Sequence, residues 1–180
     1  MAYFGPHAAR ALELLTVAAG EAGYTIPLGR FRLPAGELET CEPDAAERAV
    51  AVSIPSSAPL GGYQNPLDGR DLRESPLVVR VAYRWHEEGD LDAGVDAASL
   101  GGADRRSIEA RASEDAALVQ AAVGHQPNWS GLDPVVIDCA PDPAGWELSD
   151  EPVNGRLVLT VPFTLTTRAD SPGSYGPATT

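Results

Sequence analysis

Residues 77–85 constrain the fold more than any other segment, because large apolar side chains occupy every second position. One face of this segment carries Leu77, Val79, Val81, Tyr83 and Trp85. The positions between them include Arg80 and Arg84. Strict alternation with β-branched and aromatic side chains is typical of a strand that has one face against a core. The arginines direct the second face towards solvent or another chain.

Two further segments alternate in the same way. Residues 47–54 place Val50, Val52 and Ile54 on one face, and residues 156–168 do so over a longer run. Pro162 removes one hydrogen-bond donor from the latter strand, which predicts an edge or a bulge there. The apolar run at 134–139 predicts a short buried strand. Residues 24–33, interrupted by proline and glycine, predict an edge strand or extended segment.

Apolar residues at helical spacing predict two amphipathic helices. The first spans 6–19, with Pro6 in its opening turn. The second spans 108–123, with Ser107 as the N-cap and Gly124 as the stop. Asp115 interrupts its apolar face, and a shorter helix that starts at Ser113 is an alternative.

The order of these elements predicts an α+β fold with a mixed or antiparallel sheet and two helices packed on one face. A single domain over 1–168 fits the chain length, and residues 169–180 have the composition of a flexible arm. Two long loops are expected at 56–74 and 86–106, where glycine, proline and acidic residues gather.

Charge excludes one broad class of function. The formal net charge is −13 and all 13 basic residues are arginine, so tight nucleic-acid binding is not expected. The N-terminus lacks the pattern of a signal peptide and no segment approaches membrane-spanning length, which predicts a soluble protein made in the cytoplasm. Cys41 and Cys139 are isolated and are interpreted as free thiols, with a disulfide left open.

No motif for phosphate binding, nucleophilic catalysis or zinc binding is present. His7, His86 and His125 lack ligand-like spacing, so we expect no enzymatic activity and no cofactor. The acidic loop at 87–96 supplies an alternative, a small enzyme or cation-binding domain, because carboxylates ligate hard cations. Its pattern covers only part of a calcium-binding loop.

The order of elements resembles the tail terminator (tail completion) proteins of long-tailed bacteriophages and related tail-like particles. The matching segments are 8–19, 48–54, 77–85, 108–123, 135–139 and 156–168, which together cover most of the chain. The resemblance implies a structural virion protein, a ring of six subunits that caps the tail tube. Its partners would be the tube protein and a neck or head-completion protein, with DNA passing through unbound.

Another connector, tube or baseplate subunit of the same particles is an alternative, because such subunits share small folds. If the ring exists, its contacts are expected on the exposed strand face and in the long loops. The candidate interface residues are Arg80, Arg84, Glu87, Glu88, Asp90 and Asp92. Arginine suits contact surfaces better than lysine.

Overall fold

The computed structural model describes residues 5–21, 29–30, 48–56, 58–59, 70–84, 105–132, 134–152 and 155–170. The helices in these ranges are α1 (Gly5–Glu21), α2 (Arg105–Val123) and a short 3₁₀-helix (Gln126–Trp129). The strands are β1 (Gly29–Arg30), β2 (Arg48–Ser53), β3 (Ala58–Pro59), β4 (Arg70–Arg84), β5 (Val135–Pro141), β6 (Glu147–Leu148) and β7 (Arg156–Asp170).

The strands form one sheet in the order β1-β2-β4-β7-β5, while β3 pairs with β4 and β6 pairs with β7. Only the β1–β2 pair is parallel among the described strands. The two central strands, β4 and β7, pair along their whole length, from Arg70 opposite Asp170 to Arg84 opposite Arg156. The predicted α+β fold with a mixed sheet is confirmed.

The core lies on one face of this sheet. The alternating residues of β4 and β7, from Leu77 to Tyr83 and from Leu157 to Leu165, are buried there. Helix α1 packs against β2 and α2, and α2 packs against β7. Their core-facing side chains include Ala11, Leu15, Ile108, Ala112, Ala116 and Val119. Small alanines let both helices approach the sheet closely, and both cover the same face, as predicted.

Each central strand contains a proline, and the strand register explains why both are tolerated. Backbone bonds from Asp142 to Pro162 and from Ser149 to Val158 show that the even-numbered residues of β7 point their backbone groups towards β5 and β6. The missing donor of Pro162 therefore faces the gap where those two strands are interrupted. Pro76 faces the corresponding gap between β2 and β3. An edge or a bulge was predicted at Pro162 of β7. The structure instead accommodates the missing N–H of this proline with a local break in pairing on one side of the strand.

Several predicted boundaries differ from the structure. Strand β4 starts at Arg70, so the end of the predicted loop 56–74 is strand, as are Ala58 and Pro59. The polar residues of this extension gave no alternation signal, but their backbone pairs with the end of β7. Helix α2 starts at Arg105, before Ser107, and the alternative start at Ser113 is wrong. Strand β7 continues to Asp170, and residues 86–104 and 171–180 lie outside the described ranges.

The predicted buried strand at 134–139 lies instead at the edge of the sheet. Val136 is buried, but Val135 and Ile137 are 46% and 42% exposed. The register shifts between Val136 and Asp138, which marks a β-bulge at Ile137. A bulge interrupts the regular ladder of an edge strand and so discourages pairing with another chain.

The C-terminus of α2 is held by the residues that follow it. The Trp129 indole N–H donates to the carbonyl of Val123 at 2.8 Å, and the Asn128 amide donates to the carbonyl of Ala122 at 2.8 Å. These bonds satisfy carbonyls that a helix end leaves without a partner. At Gly124, an added Cβ would lie 2.6 Å from the Gln120 carbonyl oxygen, which explains glycine there.

Candidate interaction surface

The sheet has a second face, directed away from both helices, which we call the outer face. Its residues alternate with those of the core, so Arg80, Ala82 and Arg84 of β4 belong to it. Strands β2 and β7 contribute short neighbours to the same rows, with Ala51 and Thr160 on either side of Arg80. Ala51 and Ala82 are themselves buried. The half-buried arginine side chains therefore rise from a floor of small residues.

Three arginines gather at one end of the outer face. Arg84 lies directly opposite Arg156 on β7, and Arg80 lies four residues before it on the same side of β4. Like charges opposite each other on neighbouring strands destabilise a sheet unless anions compensate them. Arg156 is 5% exposed, which leaves Arg80 and Arg84 as the accessible members of the group.

Neither Arg80 nor Arg84 forms an ion pair or hydrogen bond within the part of the chain that the structure describes. The ion pair between Arg10 and Glu13 lies on α1 and involves neither of them. Half-buried guanidinium groups present several donors in a fixed planar arrangement that matches carboxylates. Arg80 and Arg84 are the two predicted interface residues that the structure describes, and both are suited to binding an anionic group. Glu87, Glu88, Asp90 and Asp92 lie outside the described residues.

The segment that connects β5 to β7 in sequence offers a second candidate surface. We call its residues 142–151, which include β6, the acidic turn. Its acidic members are Asp142, Glu147, Asp150 and Glu151, and no basic residue occurs between them. The Asp142 carboxylate accepts a hydrogen bond from the backbone of Ala144 at 2.8 Å, and its carbonyl accepts one from Gly145 at 2.9 Å. Gly145 has φ +83°, a conformation that favours glycine. The chain is thereby bent into a defined turn.

The acidic turn also presents an aromatic side chain. Trp146 is 39% exposed, and among the described residues only Val135 and Ile137 are other large hydrophobic side chains with such exposure. Tryptophan is enriched at contact surfaces, because one end of its side chain is apolar and the other is polar. From the sequence alone, residues 142–155 predict no more than a turn-rich hairpin connection. Its run of acidic residues around one tryptophan was the signal that could have identified it.

Polar groups inside the core connect the layers. The Tyr83 hydroxyl donates to the Asp115 carboxylate at 2.6 Å, and both residues are 2% exposed. The His7 ring lies with Nε2 at 2.8 Å from the Pro134 carbonyl oxygen. Asp115, which interrupts the apolar pattern of α2, is therefore a buried link to β4. His7, whose sequence spacing does not suggest a ligand, links α1 to Pro134, the residue before β5.

The described residues offer little for catalysis or metal binding. No group of three or more His, Cys, Asp or Glu side chains within them could hold a metal ion. Cys139 is a free, buried cysteine, and Cys41 lies outside the described ranges. Burial, with the charge of Asp138 as the second cause, raises the pKa of the Cys139 thiol to about 12. Such a thiol stays protonated and is a poor nucleophile.

Neither of the two long helices in the described part of the chain is apolar enough to span a bilayer. Comparison with known proteins adds no assignment: neither a protein-family model nor a curated protein sequence matches this chain. The outer-face arginines and the acidic turn are therefore interpreted from their own geometry.

Proposed function

We propose that this chain is a structural subunit of a bacteriophage tail or tail-like particle, a tail terminator that forms a ring on the tail tube. The observation that carries the proposal is the arrangement of α1, the sheet, and α2 placed between its two long strands in sequence. This arrangement follows the element order in which the resemblance lies. Arg80 and Arg84, which pair with none of the described residues, support it further, because a ring subunit needs surfaces that bind its neighbours.

The negative charge of the chain suits a ring through which DNA passes without binding. A net charge of −13 repels phosphates and removes the counterion-release term that drives nonspecific DNA binding. The virion would be the site of action, with a neck or head-completion protein on the side opposite the tube.

Light scattering of the purified protein, alone and with tail tube protein from the same source, tests the proposal. We expect a closed oligomer that binds to tube ends and stops their extension. Electron microscopy of the mixture should show added density at one end of each tube. A persistent monomer that never joins a tube end would refute the proposal, and density along the tube or at a baseplate would favour another connector.

A further inference from the structure

We draw no further inference here: the strongest candidate, the pair of half-buried arginines Arg80 and Arg84 on the outer face of the sheet, belongs to the surface already described, and nothing in the structure shows which anionic group, of this chain or of another molecule, lies against it.

Discussion

At the scale of single residues, the core contains buried polar groups that have opposite effects on the stability of the fold. The Tyr83 hydroxyl and the Asp115 carboxylate satisfy each other at 2.6 Å. The hydroxyl groups of Ser75 and Thr167 are buried and find no hydrogen-bond partner among the described residues. A bonded polar group stabilises the core modestly, whereas a buried group without a partner costs free energy.

Two conservative substitutions should therefore change stability in opposite directions. Tyr83→Phe removes a hydrogen bond to a buried carboxylate and should lower the free energy of unfolding by about 1–3 kcal/mol. Thr167→Val removes a buried hydroxyl and keeps the side-chain shape, so it should raise that free energy by about 1 kcal/mol. Urea denaturation measures both. Equal signs for the two variants would contradict the assigned contacts.

The Cys139 thiol predicts how stability depends on alkaline pH. Its pKa is raised from 9.0 to about 12 in the folded chain, so the folded state keeps a proton that the unfolded state loses. The resulting stabilisation is complete below pH 9 and is lost as the pH rises from 9 towards 12. In a Cys41→Ser background, the Cys139→Ala variant should not show this loss of stability. At about pH 10.5 the loss in the protein that keeps Cys139 should reach about 2 kcal/mol. Parallel stability curves for the two proteins would refute the assignment.

At the scale of elements, alternating apolar residues predicted the strand segments that pack against the core. They gave no signal for segments that are held only by backbone pairing. Strands β2, β4 and β7 carry their core residues at every second position, so their cores could be read directly. The polar start of β4, from Arg70 to Glu74, is held by backbone bonds to β7 and leaves no such pattern. The edge position of β5 was also hidden, because an apolar run does not reveal which of its residues a bulge turns outward.

The bulge in β5 makes a prediction at three consecutive valine and isoleucine positions. Val136→Ala should lower the free energy of unfolding by about 2 kcal/mol, because a buried side chain leaves a cavity. Val135→Ala and Ile137→Ala should cost less, about 1 kcal/mol or under each, because nearly half of each residue is already exposed to water. Thermal and urea denaturation compare the three. A large loss at Ile137 would place this strand in the interior, as its sequence had suggested.

At the scale of the whole molecule, charge is distributed unevenly over a chain that is acidic in total. Arginines gather on the outer face, and the acidic turn lies beside them. The sequence indicated Arg80 and Arg84 as candidates because they interrupt an apolar strand. It could not indicate that Glu147 lies on the same face, because that relation depends on how β6 pairs with β7.

An association that depends on these charges should weaken in salt. Raising ionic strength from about 0.05 M to about 0.5 M shortens the screening length several-fold and weakens solvent-exposed ion pairs. We expect the oligomer measured by light scattering to dissociate over this range, while urea denaturation of the monomer changes little. An oligomer that grows stronger with salt would indicate a contact dominated by apolar surface instead.

The long pairing of β4 with β7 has a consequence for how the protein is made. Every rung of that ladder joins a residue of 70–84 to a residue of 156–170, more than 70 positions later in the sequence. A nascent chain on the ribosome therefore holds β2, β4 and both helices before the strand that completes their sheet has been synthesised. We infer that the sheet closes only after residues 156–170 have been synthesised, and that its apolar faces depend on rapid closure, or on chaperones, to escape aggregation until then.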